Sequence, residues 1–270
     1  MGDQRNDIVG VVLTGGQSRR MGVPKCDLVV GGRPVVARLC ELLAARTREV
    51  VIVGRRPRED RRRDVKEDPG KQSRSTFSGG ACTARRGDEL RPNASGHVAS
   101  EGTRRCEENA ERDHDRDAAI GVQVRVWGDE REGMGPLGGI ATALKAAART
   151  GGAAVCVVAC DSIALEGRAL DFLLAGRDER AGATVLVNPR TGRIEPMPGI
   201  YEAWALTSIE EALRAGRLGV VDWLTAVGAR RLNAPDSLAD ELLGANTPEE
   251  LAALERRLQA GPGRMPGPPA

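Results

Sequence analysis

Short apolar runs recur along the chain and predict the strands of a buried sheet. The runs at residues 8–12, 49–54, 153–159 and 183–187 are almost entirely apolar, which is typical of strands covered on both faces. Residues 122–127 instead alternate valine with polar residues, a pattern that also indicates a strand. Five strands spread over the chain require a sheet whose members are brought together by longer connections.

Helical spacing of apolar residues fills the connections between these strands. Pro34 opens the first predicted helix. Further helices are expected over 141–149 and from about Gly167. Tyr201 and Trp204 are expected to be core aromatics at the start of another helix, which runs to Ala215. The last helices are predicted at 218–227 and 248–258, with a short edge strand at 229–232 between them. This alternation predicts a three-layer α/β/α fold with a mostly parallel, doubly wound, Rossmann-like sheet.

One long stretch breaks the pattern. Residues 57–119 are rich in arginine, acids, glycine and serine and almost lack large apolar residues, so they are predicted to be a charged, disordered insertion. An arm that binds nucleic acid is the alternative, but acids nearly match bases and aromatic residues for base stacking are almost missing. We therefore expect a single domain over 1–270 that is ordered in 7–56 and 120–258, with a disordered tail at 261–270.

Charge and cysteine content narrow the function classes. The net charge of +2 over 270 residues gives no reason to expect nucleic acid or a membrane as a partner. The six cysteines show neither a C-x-x-C pair nor zinc-finger spacing with the histidines. No apolar stretch approaches a signal peptide or a membrane span, so the expected location is the cytoplasm.

The loop after the first strand carries the strongest candidate chemistry. Paired glycines follow a β-branched run, and cations follow the glycines within ten residues. Converging backbone N–H groups and mobile cations suit an anionic ligand, most often a phosphate. The spacing matches neither a Walker A loop nor G-x-G-x-x-G. The pattern itself reads Gly15-Gly16-x-Ser18-x-Arg20-Met21-Gly22-x-x-Lys25.

This pattern resembles the signature loop of the molybdenum cofactor nucleotidyltransferases, especially the guanylyltransferases. The resemblance implies that the loop wraps a nucleoside triphosphate and that Lys25 and Arg20 neutralise its phosphates. The alternative is an ordinary glycine-rich turn with surface arginines. The nucleotide-binding residues implied here are Leu13, Thr14, Gly15, Gly16, Ser18, Arg20, Met21, Gly22 and Lys25.

Asp161 lies two positions after the last residue of the apolar run 153–159, at the strand end where doubly wound sheets bind ligands. Carboxylate oxygen there suits Mg²⁺, and the resemblance implies that Asp161 carries the catalytic metal ion. The family usually has Asp-Met-Pro at this place, whereas this chain has Asp161-Ser162-Ile163. The alternative is that Asp161 or Ser162 caps the helix that starts near Gly167.

Three further segments resemble the family more loosely. Gly135-Pro136-Leu137 is expected near the base and ribose, although a tight turn before a helix explains the same residues. Asn188, Glu195 and Asn246 are implied on the acceptor side, next to a pterin pocket. A capping box explains Thr247 to Glu250 without a ligand.

The implied reaction transfers GMP from GTP to molybdopterin or the molybdenum cofactor, depends on Mg²⁺ and releases pyrophosphate. Lys25, Arg20 and Asp161 are its expected catalytic residues, and molybdoenzyme maturation proteins are candidate partners. Gly15-Gly16 favours GTP, because members that use CTP typically carry Ala-Gly there. The alternatives are a cytidylyltransferase of the same cofactor, a phospholactate-type guanylyltransferase and a nucleotide-binding protein without catalysis.

Overall fold

The computed structural model describes residues 7–15, 25–54, 115–116, 123–128, 133–245 and 247–260. The expected site residues Gly16, Ser18, Arg20, Met21, Gly22 and Asn246 lie outside these ranges. So do the tail and the predicted insertion, apart from the pair at 115–116, and the domain boundaries therefore stay a prediction.

The described strands and helices follow the predicted alternation. The strands are β1 (Ile8–Leu13), β2 (Val29–Val30), β3 (Arg33–Pro34), β4 (Glu49–Val53), β5 (Asp115–Arg116), β6 (Gln123–Trp127), β7 (Ala154–Ala159), β8 (Ala183–Val187), β9 (Ile194–Glu202) and β10 (Arg230–Asn233). The helices are α1 (Val35–Ala44), α2 (Gly135–Arg149), α3 (Gly167–Ala175), α4 (Leu206–Arg214), α5 (Val220–Ala226) and α6 (Pro248–Ala260). Short 3₁₀ turns lie at Lys25–Asp27, Ala203–Ala205 and Asp236–Leu238.

The main sheet has the strand order β10-β8-β9-β7-β1-β4-β6-β5. Strand β1 pairs in parallel with β4 on one side and with β7 on the other, and the pairs β4–β6 and β8–β10 are also parallel. The chain therefore builds the sheet outwards from β1 in one direction and then returns to β7. This reversal is the switch point where doubly wound sheets bind ligands, and it confirms the predicted fold class.

Two apolar layers cover the sheet. On one face β1 and β7 pack against α1 and α3, through residues such as Val12, Leu39 and Leu170. On the other face they pack against α2, α4 and α5, through residues such as Val11, Leu144 and Leu224. Burial on both faces explains why the central strands are continuous apolar runs.

Strand β9 was not predicted. It runs antiparallel between β7 and β8, and its two prolines disguise it, because proline cannot donate to a ladder. The pairing with β8 jumps from Val185↔Gly199 to Leu186↔Glu195, so residues 196–198 bulge out of the ladder. Proline is tolerated in such a bulge because no ladder bond is needed there.

Two smaller expectations were wrong. Helix α2 begins at Gly135, not at 141, because Pro136 at its start presets the helical φ and lacks only an N–H that the first turn leaves unbonded. Trp204 is 55% exposed, whereas Tyr201 is fully buried as expected. Tyr201 lies on β9 and Trp204 in the 3₁₀ turn that precedes α4, so neither begins the helix.

No helix in the described part of the chain is both long and apolar enough to cross a membrane.

Candidate active site

The site forms where β1 and β7 end side by side. The amide of Cys160 donates to the carbonyl of Leu13 at 3.0 Å, which extends the ladder to the last residue before Asp161. Asp161 therefore emerges at the carboxyl edge next to the loop that leaves β1. This is the crevice position that the sequence predicted.

An ion pair joins the two strongest candidates. The Lys25 Nζ atom lies 2.6 Å from Asp161 Oδ2, although 136 positions separate the residues in the chain. Their side chains are 20% and 29% exposed, so the pair is accessible to a ligand. Charge-assisted hydrogen bonds of this length are strong, and the contact places a cation and a carboxylate at one point of the crevice.

A short anchored turn delivers Lys25 to this position. Lys25 begins the 3₁₀ turn before β2, and its neighbours Cys26 and Leu28 are buried in the core. The amide of Leu28 donates to the carbonyl of Lys25, and the amide of Val35 donates to that of Leu28. The lysine therefore stands on a turn that core packing fixes, rather than on a free loop.

The backbone at the end of β1 is held close to β4. Gly54 has φ +113°, and a Cβ there would lie 2.9 Å from the Gly15 nitrogen. The amide and hydroxyl of Thr14 both donate to the carbonyl of Val53, at 2.9 and 3.2 Å. Leu13 and Thr14 thus form a buried floor, whereas Gly15 is exposed at the surface of the crevice.

Asp161 does not cap α3, so that alternative was wrong. Glu166 is the N-cap residue, and the carboxylate of Glu241 accepts from the amides of Glu166 and Ala169 at 3.1 and 2.9 Å. Glu241 is buried and also accepts from Arg168 Nε at 2.9 Å. With the helix start satisfied elsewhere, the Asp161 carboxylate is left to face Lys25.

The segment Gly135-Pro136-Leu137 forms the first turn of α2. Gly135 has φ +65°, a conformation that favours glycine. Gly135 and Pro136 are exposed, whereas Leu137 is fully buried beneath the helix. Leu137 therefore serves the core, and contact with a nucleotide at the other two residues stays a prediction.

Asn188 and Glu195 lie together at the turn between β8 and β9. Asn188 Nδ2 donates to Glu195 Oε1 at 3.1 Å, and the Asn188 side chain also accepts from the amide of Arg190 at 3.0 Å. Burial raises the pKa of Glu195, partly opposed by the Asn188 hydrogen bond and the charge of Arg193. Asn188 follows the carboxyl end of β8, and Glu195 lies near the start of the antiparallel β9. Both residues are therefore at the same side of the sheet as Asp161, which follows the carboxyl end of β7.

The thiols near the site are unsuited to nucleophilic catalysis. Burial raises the pKa of Cys160, which directly precedes Asp161, and raises the pKa of Cys156 to about 12. The thiolate is the nucleophilic form, so both thiols stay protonated and inert at neutral pH. Cys156 and Cys160 are therefore not candidates for a nucleophile at this edge.

A magnesium ion fits the donors that are present. Mg²⁺ is usually held by one or two carboxylates, substrate phosphates and waters rather than by a full cage of side chains. Among the described residues no cluster of three His, Cys, Asp or Glu could hold a metal, and Asp161 is the carboxylate at the crevice. Its Oδ2 contacts Lys25, and no other donor in the described ranges reaches the carboxylate.

Sequence reasoning missed the residues that hold the segment after Asp161. Arg38 interrupts the otherwise apolar first turns of α1, and its guanidinium donates to the carbonyls of Ile163 and Leu165. Glu241 reaches across 75 positions to Glu166. A lone arginine in an apolar run was the only available signal, because neither partner is near in sequence.

A protein-family model matches most of the sequence. Residues 10–230 match the family model described as "MobA-like NTP transferase domain". The chain belongs to this family. It is therefore a member of a family of nucleotidyltransferases, and the resemblance drawn from the first loop is confirmed.

Curated relatives of the family extend over nearly the whole chain. The chain is 26% identical to a molybdenum cofactor guanylyltransferase of Cereibacter sphaeroides, over 93% of this chain and 97% of the relative. It is 27% identical to a probable molybdenum cofactor guanylyltransferase of Pelotomaculum thermopropionicum, over 90% of this chain and 89% of the relative. The name guanylyltransferase is that of these relatives, to which the chain is similar.

Solved structures agree on the fold. The molybdopterin-guanine dinucleotide biosynthesis protein A of Archaeoglobus fulgidus superposes with a TM-score of 0.56 at 17% identity, covering 94% of this chain and all (100%) of that one. A nucleotidyl transferase from Methanothermobacter thermautotroptrophicus gives 0.57 at 18% identity, covering 95% and 100%. At such identities the likeness shows a shared nucleotidyltransferase architecture.

Proposed function

We propose that this nucleotidyltransferase transfers GMP from GTP to molybdopterin or the molybdenum cofactor and releases pyrophosphate. The observation that carries the proposal is the 2.6 Å pair between Lys25 and Asp161 at the switch point of the sheet. Curated relatives that cover nearly the whole chain are named molybdenum cofactor guanylyltransferases. We place the reaction in the cytoplasm.

The chemistry is an in-line displacement at phosphorus. An oxygen of the acceptor's terminal phosphate forms a bond to the α-phosphorus of GTP, while the bond from that phosphorus to the β-bridging oxygen breaks. The electron pair leaves with pyrophosphate. A phosphate nucleophile is already ionised at neutral pH, so the protein needs to supply position and charge rather than a general base.

Lys25 and Asp161 divide this task between them. Asp161 would hold a Mg²⁺ ion, which offsets negative charge on the reacting phosphates when it is bound. Lys25, together with Arg20, would donate to phosphate oxygens and stabilise the departing pyrophosphate. Asp161 holds the Lys25 ammonium at the crevice, so little ordering of the lysine side chain would be needed when a nucleotide binds.

The acceptor lies on the β8–β9 side of Asp161 in this proposal. Asn188 and Glu195 offer an amide and a half-buried carboxylate. Asn246 follows Gly244 by two positions in the sequence, and a Cβ added to Gly244 would be 3.2 Å from the Asp161 carbonyl oxygen. A carboxylate and amides suit the N–H groups and carbonyl of a pterin ring. Molybdoenzyme maturation proteins would receive the product.

The choice of GTP is supported by Gly15-Gly16 and by the names of the relatives. A molybdenum cofactor cytidylyltransferase and a phospholactate-type guanylyltransferase use the same chemistry on other substrates. A protein that binds nucleotide without turnover is the remaining alternative.

Pyrophosphate release distinguishes these functions. The purified protein is mixed with Mg²⁺, a molybdopterin-loaded acceptor and either GTP or CTP. We expect release with GTP, at least tenfold less with CTP, and none without the acceptor. Nucleotide binding without release would support the non-catalytic alternative, and release with phospholactate instead of molybdopterin would replace the acceptor.

A further inference from the structure

Local backbone hydrogen bonds connect the residues of the segment that follows Asp161. The amide of Ser162 donates to the carbonyl of Ala159 at 3.0 Å, and the amide of Ile163 donates to the carbonyl of Asp161 at 2.8 Å. The amide of Leu165 then donates to the carbonyl of Ser162. Because these bonds tie each residue to Asp161 or its neighbours, a shift of Ile163 would move the Asp161 backbone.

Arg38 holds this segment from outside. Its Nη1 donates to the carbonyl of Leu165 at 2.7 Å, and its Nη2 donates to that of Ile163. The planar guanidinium presents its donors in a fixed fork, so it fixes the spacing of the two carbonyls. Burial lowers the pKa of Arg38, and these two hydrogen bonds offset the cost of desolvating its charge.

The other side of the segment is fixed by the C-terminal part of the chain. Glu241 accepts from the amide of Glu166 at 3.1 Å, and a Cβ at Gly244 would lie 3.2 Å from the Asp161 carbonyl. The segment is thus held between α1 and residues 241–244. Neither support touches the Asp161 carboxylate, so each acts through the backbone.

We propose that Arg38 is a positioning residue that fixes the direction of the Asp161 carboxylate by holding the carbonyls of Ile163 and Leu165. The arginine fork holds two carbonyls of one short segment at once, which stiffens the backbone between them. This inference rests on the proposed function only in its kinetic consequence.

The test compares Arg38→Met, which removes both donors, with Arg38→Lys, which restores a charged donor. The matched control is Arg46→Met. Arg46 lies two residues after the end of the same helix. It donates to Asp171 at 2.9 and 3.1 Å and to the carbonyl of Leu42 at 3.0 Å. Unlike Arg38, it makes no hydrogen bond to residues 161–165 within the described ranges. Both methionine variants remove an arginine that ties the α1 region to its surroundings.

We expect kcat of Arg38→Met to fall on the order of tenfold while KM for GTP changes less than about twofold, because small misplacements of a reacting group cost rate rather than binding. Arg38→Lys should recover most of kcat. Amide hydrogen exchange measured by NMR should quicken on the order of tenfold at Ile163 and Leu165 in Arg38→Met alone, with the global unfolding midpoint close to that of Arg46→Met.

Two results would overturn the inference: unchanged exchange at Ile163 and Leu165 in Arg38→Met, or an equal loss of kcat in Arg46→Met. The exchange experiment needs neither nucleotide nor metal. If the wild-type protein fails to turn over GTP, the proposed function fails, and the exchange rates still decide whether Arg38 positions the segment.

Discussion

The amino ends of the parallel strands form one border of the sheet, the amino edge, and their carboxyl ends form the opposite border, the carboxyl edge. Each border carries an ion pair, and the two pairs differ in burial and in the number of hydrogen bonds. At the amino edge Arg177 donates to both oxygens of Glu202 at 2.8 Å and to both oxygens of Asp7 at 3.0 and 3.1 Å. The side chains of Arg177 and Glu202 are only 3% and 4% exposed. At the carboxyl edge a single contact joins Lys25 to Asp161, and the pair is partly open to solvent.

In the proposed function, this difference separates groups that stabilise the fold from groups that bind a ligand. Every guanidinium nitrogen of Arg177 donates to Glu202 or Asp7, and both carboxylate oxygens of Glu202 accept from Arg177. The hydrogen bond to Glu202 is the largest cause of the raised pKa of Arg177. A buried pair in which every nitrogen and oxygen is already hydrogen-bonded offers little to a ligand. The Asp161 carboxylate accepts one hydrogen bond among the described residues, which leaves lone pairs that could bind a metal ion.

The largest expected effect lies at the amino edge. Arg177→Met leaves the buried Glu202 carboxylate without its partner, and breaking such a pair costs about 3–5 kcal/mol of unfolding free energy. Urea denaturation followed by circular dichroism measures this loss. At a temperature where the variant is folded, its kcat should equal that of the wild type.

The control for this prediction is an exposed pair. Arg33 contacts Glu41 at 2.7 Å, with side chains 60% and 38% exposed, so Arg33→Met should change stability by less than about 1 kcal/mol. Equal losses in the two variants would show that burial and saturation do not distinguish these pairs.

The next effect is catalytic. Asp161→Asn keeps the shape of the side chain but removes its charge, and we expect pyrophosphate release to fall by about 10²–10³, or about 3–4 kcal/mol of transition-state stabilisation. Because the pair is partly exposed, the urea midpoint should move little. A variant that loses stability and keeps its rate would place Asp161 among the structural groups.

Glu241 sharpens the comparison, because it is saturated although it lies near the active edge. Glu241→Gln replaces an acceptor of three hydrogen bonds with an amide whose NH₂ faces other donors, so we expect a loss of about 1–2 kcal/mol in unfolding free energy. Thermal unfolding measures it. No change in stability would mean that the start of α3 does not depend on this carboxylate.

The smallest effect concerns Glu195, whose pKa burial raises above its ordinary value of 4.5. The folded state therefore keeps the proton to higher pH than the unfolded chain, and this group's contribution to stability decreases as pH rises from about 4.5 through the raised pKa. Glu195→Gln can still accept from Asn188. It should match the wild type in stability below pH 4.5 and exceed it above that window, as urea titrations at several pH values would measure.

The same variant tests the acceptor side. If Glu195 binds the pterin, Glu195→Gln should raise KM for the acceptor by about tenfold and leave KM for GTP unchanged. A lower stability above pH 4.5 would contradict the burial argument, and an unchanged acceptor KM would remove Glu195 from the proposed pocket.

Local sequence patterns predicted most of the central sheet. The apolar runs of β1, β4, β7 and β8 are typical of strands in a sheet that is covered on both faces. Asp161 was located because its place at a strand end depends only on the strand before it, and Lys25 because it ends a compact motif.

Residues whose roles depend on distant partners could not be predicted. Arg38 contacts Leu165 across 127 positions and Arg177 contacts Asp7 across 170, so no local pattern reveals either. Strand β9 was hidden by prolines that only the bulge opposite β8 permits. Trp204 looked like a core aromatic, but its Nε1 donates to the carbonyl of Glu179 while more than half of the side chain stays exposed.

The central claim is that the carboxyl-edge pair performs nucleotidyl transfer and the amino-edge pair holds the fold. The most direct test follows the label from α-³²P-GTP into the molybdopterin acceptor in single-turnover reactions of the wild type, Asp161→Asn and Arg177→Met, each normalised to folded protein. We predict transfer by the wild type and Arg177→Met at equal rates, and a loss of about 10²–10³ in Asp161→Asn. Transfer by Asp161→Asn at the wild-type rate would contradict the account.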